Sequence, residues 1–188
     1  MRLIFNLLPL LRKSPEPRVL SVLNAGREAR MNDEDIGLEQ KWSTMGVINH
    51  TTTMMTLALE HLAKTEERIA FMHSYPGWVK TDNFARLTAP ESSGVLWWLT
   101  IALVKGVVAF VHTFLSVSAD ESGERQAYQL TSDAYGPGAS RIEYTSEIIT
   151  APGVLEHYRE NGWPEKVWEY TLRVFDKALA TGEDVASS

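Results

Sequence analysis

The chain has 188 residues, 44% of them apolar, enough to build the core of a single domain, and its 18 Lys and Arg against 24 Asp and Glu give a net charge of -6. So acidic a chain offers no phosphate-neutralising face, and nucleic acid is not an expected partner. The absence of cysteine excludes disulfides, thiolate metal sites and a cysteine nucleophile, and it suits an intracellular setting.

The first stretch, "MRLIFNLLPLLRKS", has a positive residue ahead of an apolar run, as a secretory signal does. Asn6 and Pro9 interrupt the run, and no small-x-small cleavage pattern precedes Arg12 and Lys13, so a helix packing one apolar face is predicted. Pro17 to Gly26, "PRVLSVLNAG", is a β-branched and Leu run fenced by Pro and Gly, the pattern of a short strand covered on both faces. The polar, acidic "REARMNDEDIGLEQK" is a loop by composition. "STMGVINHTTTMMTLALEHLAK" predicts a helix capped by Ser43 or Thr44, with Val47, Met54, Met55, Ala58, Leu59 and Leu62 at helical spacing. "RIAFMHSY" follows as a second strand. Strand, helix and strand in that order form a βαβ unit of a parallel sheet.

Gly94 to Val117, "GVLWWLTIALVKGVVAFVHTFLSV", contains a single charged residue, Lys105. A central Lys costs roughly 2.5 to 3.5 kcal/mol on membrane insertion while each Leu, Ile, Val or Phe returns about 0.3 to 0.6, so a span is marginal. A buried lid over an apolar substrate and a helix in contact with a membrane both fit the stretch. "SADESGERQAYQLTSD" predicts a surface helix capped by Ser118 with Glu121 three residues on. "YGPGAS", Tyr135 to Ser140, has the composition of a turn. "GWPEKVWEYTLRVFDKAL" predicts a docking helix opening at Pro164, with Val167, Tyr170, Thr171, Val174 and Ala178 on one side, and residues 182–188 have the composition of a frayed tail.

The five histidines, at 50, 61, 73, 112 and 157, form no i, i+4 pair and lie near no carboxylate cluster of metal-ligand spacing, so no metal site is expected. The acceptor triplet at Asn49 falls inside a predicted helix and is read as chance.

The stretch "MHSYPGWVKTDNF" is the most informative. Proline ends the strand ladder for lack of an N–H, and glycine lets backbone approach a flat ligand where α/β sheets bind theirs, beyond the carboxyl ends of the strands. "PGWVKT", Pro76 to Thr81, resembles the Pro-Gly-x-Val-x-Thr segment of the short-chain dehydrogenase/reductase family. "RVLSVLNAG" and "NHTTTMMTLALEHLA" resemble that family's fifth strand and fifth helix, and the stretch from Met1 to Gly26 is similar in style to fungal members found in secondary-metabolite pathways. The resemblance covers residues 1 to about 135. It implies an α/β fold, the incomplete C-terminal half of a Rossmann-like, doubly wound parallel sheet with added helices. It also implies an NAD(P) site in which Pro76, Gly77, Val79 and Thr81 line the nicotinamide end, and hydride transfer to or from an apolar small molecule.

Two parts of the family pattern are missing. No Gly-rich phosphate turn occurs in the sequence, so a truncated or mis-started product, with open strand edges where four further strands belong, is the simplest expectation. The family's Ser, Tyr and Lys fall on Asn24, Trp42 and Gly46, none of which replaces a phenol made acidic by a neighbouring ammonium. Ser21 and Ser43 are hydroxyls without an evident base, Lys41 precedes Trp42 on another side of the turn, and Tyr75 is a substitute acid only by position. The resemblance therefore leaves two expectations: an oxidoreductase of this type, or an inactive derivative that keeps the apolar pocket or pairs with a fuller homologue as a homo- or hetero-oligomer.

Overall fold

A computed structural model of the chain describes residues 1–80, 94–114 and 116–186. In chain order the elements are α1 (Arg2–Leu11), β1 (Arg18–Val22), α2 (Thr44–Thr65), β2 (Ala70–Ser74), α3 (Val95–Phe114), α4 (Ala119–Thr131), β3 (Gly138–Ile142), α5 (Leu155–Glu160) and α6 (Trp163–Ala186). They form two compact units, one of Met1–Tyr75 with Gln129–Ser188 and one of Pro76–Tyr128.

The first unit is built on a parallel sheet in the order β1-β2-β3. The predicted βαβ unit is present, and Ser43 caps α2 by accepting from the Gly46 amide at 3.0 Å. Residues pair across the strands as Val19, Phe71 and Ala139, then Ser21, His73 and Arg141. Because side chains alternate along a strand, these two rows share a face. Phe71 and Val19 on that face join Leu57, Leu59, Tyr158, Val167 and Trp168 in the main core. The opposite face carries a smaller cluster of Met72, Ile142 and Tyr135 with Leu20 against it.

Three expectations change. The sequence shows two clear strands; the third, β3, begins inside the stretch that has the composition of a turn. Its "GASRI" has too little β-branched content to register, and it is held by pairing with the fully buried β2. The buried side of α2 is also wider than its apolar spacing suggests, since His50, Thr52, Thr53 and Thr56 are as buried as Leu57 and Leu59. On α6 the packed side turns toward Trp163, Trp168 and Leu172 around Val167, leaving Val174 exposed, and helical backbone continues to Ala186.

The N-terminal run forms α1 as predicted, with Pro9 inside it; Leu8 is buried, Ile4 and Leu11 pack on the core, and Leu3 and Leu10 face out. Arg12 ties the end of α1 to the end of α2 through Glu66. The outer edge of β1 borders an apolar groove of about 390 Å³ lined by Leu3, Leu7, Leu20 and Val22 among others.

In the second unit the backbone of Val117 is pinned to the segment that follows Gly77. Val117 N–H donates to Trp78 O at 2.8 Å, and Lys80 N–H donates to Val117 O at 3.0 Å. The predicted apolar helix forms as α3. Ser118 caps α4, accepting from the Glu121 amide at 3.1 Å.

Candidate functional site at the carboxyl ends of the strands

A histidine in an apolar strand and a threonine on the facing side of a helix give little sign of themselves in sequence. Folding brings them together. His73, the next-to-last residue of β2, is 1% exposed, and its Nδ1 lies 2.7 Å from the hydroxyl of Thr56 on α2. The same hydroxyl donates to Glu28 Oε1 at 2.7 Å, and Glu28 Oε2 pairs with Arg141 Nη1 at 3.1 Å. Arg141 also donates to the carbonyls of Ile149 and Ala151, so its guanidinium is satisfied below the surface.

The other imidazole nitrogen decides the proton arrangement. The Asn24 amide donates to His73 Nε2 at 3.3 Å, so the ring proton sits on Nδ1. Nδ1–H then donates to Thr56, and Thr56 donates to Glu28: a directed relay of two protons ending on a carboxylate. Burial pushes His73 down to about 4, against the pull of the Glu28 charge and with Arg141 adding to the depression. Burial works to raise the Glu28 carboxyl, but the hydrogen bond from Thr56, the amides of Glu28 and Gly26 and the Arg141 charge outweigh it, and Glu28 lies below its ordinary value.

Thr56, His73 and Arg141 line a cleft of about 110 Å³ together with Ser140, Ile149 and the Arg159–Glu60 ion pair. That is well under the roughly 300 Å³ at which small-molecule pockets begin. Beside it, the Arg27 guanidinium lies 3.4 Å from the centre of the Tyr75 ring and pairs with Glu143 at 2.9 Å, while Tyr144 meets Tyr75 edge-on.

Of the residues singled out in sequence, Asn24 and Ser21 lie in the first unit beside this network, and Pro76, Gly77 and Val79 belong to the second. Asn24 is at the rim and contributes its backbone amide. Ser21 shares a row with His73 and Arg141. Trp42 is exposed ahead of α2, and Gly46 lies in the first turn of that helix with its amide occupied by the Ser43 cap. Pro76 and Gly77 follow Tyr75 directly, and Gly77 has φ +79°, a conformation open to glycine at little cost. Val79 bridges to Val117. Thr81 lies outside the described residues. Glu28, Thr56, His73 and Arg141 were not singled out as a group. The one available signal is Thr56, which closes the threonine-rich "HTTTMMT" on a helix side that also carries Leu57, a polar run that must be satisfied internally once the helix packs.

A parallel sheet with its charged, hydroxyl and positive-φ glycine residues gathered at the strands' carboxyl ends defines an α/β chain of the Rossmann-like kind. Relatives make this more particular. The chain is 36% identical to oxidoreductase lepF of Aspergillus flavus, over 97% of its own length and 61% of that protein. It is 32% identical to oxidoreductase AN1596 of Emericella nidulans, over 95% of its length and 59% of that protein. It is 28% identical to a protein of Stachybotrys chartarum named short-chain dehydrogenase/reductase SAT2, over 98% of its length and 58% of that protein. The chain is thus a homologue of fungal oxidoreductases, one of them named a short-chain dehydrogenase/reductase, and the similarity continues past residue 135. It spans about three fifths of the length of the curated relatives it matches. No protein-family profile matches it.

Proposed function

We propose that the chain is the substrate-side part of an NAD(P)-dependent oxidoreductase of the short-chain dehydrogenase/reductase type, acting on an apolar metabolite in a fungal secondary pathway inside the cell. The observation that carries this reading is the Pro76-Gly77 corner directly after β2, with Gly77 at positive φ, in a chain similar throughout to proteins named oxidoreductases.

The residues fit one end of a nicotinamide dinucleotide only. Gly77 has no Cβ to hold a planar ring away from the backbone, and Pro76 leaves no N–H to continue the ladder. By the family resemblance, Val79 would wall the site beyond the corner and Thr81 would offer a hydroxyl and an amide to a carboxamide or phosphate. When bound, the cofactor supplies the hydride chemistry. The chain's own contribution is support beneath the rim: the Glu28–Thr56–His73 relay fixes the Asn24 amide and the course of the chain after β1. No residue of the sequence supplies a Gly-rich phosphate turn.

A specific observation favours a second reading. At the positions where the resemblance puts tyrosine and lysine, Trp42 is exposed and Gly46 has its amide engaged in a helix cap. A chain built so binds or pairs, and does not move a proton by the family's route. Titration of NADPH fluorescence against the chain separates the two. Binding in the micromolar range supports the first reading, and none at millimolar NADPH leaves the accessory reading.

A further inference from the structure

We infer that Tyr75 anchors the polar end of an apolar ligand at the carboxyl end of the sheet, its hydroxyl donating to a ligand oxygen, and that Arg27 is the residue that positions its ring. The inference rests on the proposed function, which implies a ligand with a carbonyl oxygen on an apolar body.

Tyr75 directly follows β2 and is half-buried. Its ring is held by the segments that follow the two neighbouring strands. After β1, the Arg27 guanidinium covers one face at 3.4 Å from the ring centre. After β3, Tyr144 meets the ring edge-on with its centre 6.5 Å away. The Tyr75 amide donates to the carbonyl of Ile142, the last residue of β3, at 2.9 Å. All of these residues belong to the first unit.

Arg27 is itself fixed. Its Nη1 and Nη2 donate to the two carboxylate oxygens of Glu143 at 2.9 and 3.1 Å, and Nη1 also donates to Ala25 O at 3.0 Å. A planar fork engaged in this way keeps its plane against the ring, as a lysine ammonium would not. With side-chain exposures of 43% and 26%, the Arg27–Glu143 pair adds little stability in water, so its consequence is the placing of the guanidinium. Gly26, at φ +81° and packed against Ile149, brings the chain to that place where a residue with a Cβ would be strained.

The hydroxyl is the part of Tyr75 left over. It has no hydrogen-bond partner among the described residues, whereas the phenols of Tyr135 and Tyr158 donate to Ser146 O and to Asp33. With one face under the guanidinium and an edge against Tyr144, the hydroxyl is what the side chain can still offer to a ligand. Ligands of open α/β sheets settle beyond the carboxyl ends of the strands, and Tyr75 is the first residue past β2. A ring fixed beforehand also loses little freedom when the ligand arrives.

The test is a ligand-observed NMR titration of the full chain with α-tetralone, a carbonyl on an apolar bicycle, beside tetralin, which lacks the oxygen, each with and without NADPH. α-Tetralone is expected to bind with a Kd of about a millimolar or below. Y75F and R27Q are each expected to weaken it about three- to tenfold, the range of one lost neutral hydrogen bond, and to leave tetralin unaffected. Because Arg27 acts through Tyr75, R27Q/Y75F is expected to bind no more weakly than Y75F. Equal α-tetralone binding by Y75F and the wild type overturns the inference, as do additive losses in the double variant or an equal loss of tetralin binding in R27Q. The comparison of Y75F with the wild type still decides if R27Q fails to fold. NADPH binding without α-tetralone binding overturns this inference alone, and binding of neither removes the proposed function with it.

Discussion

Thr56 stands between His73 and Glu28, its one hydroxyl oxygen 2.7 Å from Nδ1 of the first and 2.7 Å from Oε1 of the second. With His73 Nε2 accepting from the Asn24 amide, each group in the row has a single role consistent with a neutral imidazole. The folded state therefore needs His73 unprotonated.

The resulting pH dependence has a definite sign. His73 takes up its proton near 6.5 when unfolded and only at about 4 when folded, so between those values the unfolded chain binds more protons. The stabilisation is fully present above about pH 6.5 and is lost as pH falls toward 4, by about 3 kcal/mol in all. Glu28, also held below its ordinary value, adds a loss in the same direction at the acid end. Urea titrations between pH 7.5 and 4 should show this fall, and His73→Gln should flatten most of it. A stability independent of pH across that window would contradict the buried neutral histidine.

Thr56→Val keeps the shape of residue 56 and removes its hydroxyl. Both His73 Nδ1–H and Glu28 Oε1 then lose a partner away from water, an expected cost of about 1 to 3 kcal/mol. Thr56→Ser keeps the hydroxyl and should recover most of that loss. Parallel denaturation curves for the two variants provide the comparison.

The Glu28–Arg141 pair is nearly solvent-free, with side-chain exposures of 3% and 9%. Removing one charge leaves the other buried and uncompensated, so Glu28→Gln or Arg141→Met should each cost about 3 to 5 kcal/mol. The double variant should cost clearly less than the sum, because neither unpaired charge remains. Additive losses in a double-mutant cycle would show that the pair does not act as one.

Two glycines separate stability from ligand binding. Gly26 has φ +81°, and a Cβ there would come 2.6 Å from Ile149 Cδ1, so Gly26→Ala should destabilise by about 1 to 2 kcal/mol. Gly77 shares the positive φ, and Gly77→Val places a branched side chain at the corner assigned to nicotinamide. Under the proposed function, Gly77→Val weakens NADPH binding at least about tenfold while the first unit's unfolding transition stays in place. Unchanged NADPH affinity would remove Gly77 from the site.

The βαβ unit was legible because local pattern and tertiary role agree there. An apolar run between Pro17 and Gly26, a capped helix at Ser43 and a second apolar run to Ser74 each announce an element, and each element forms. The Pro76-Gly77 corner was legible for the same reason, since a proline and a positive-φ glycine end a strand wherever they occur. The stretch Gly94 to Val117 announced an apolar helix through composition alone.

What the chain's order of residues determined was thus the class of fold, the α/β alternation and the placing of a glycine corner at a strand's end. Hydrophobic periodicity and turn chemistry are local properties, and they survive without knowledge of neighbours. Tertiary structure alone decided that "GASRI" is a strand, because its partner is β2 and not its own composition. It alone joined Glu28, Thr56, His73 and Arg141, drawn from a loop, a helix and two strands. A buried charge network depends on which groups meet where water is excluded, and sequence spacing does not encode that meeting.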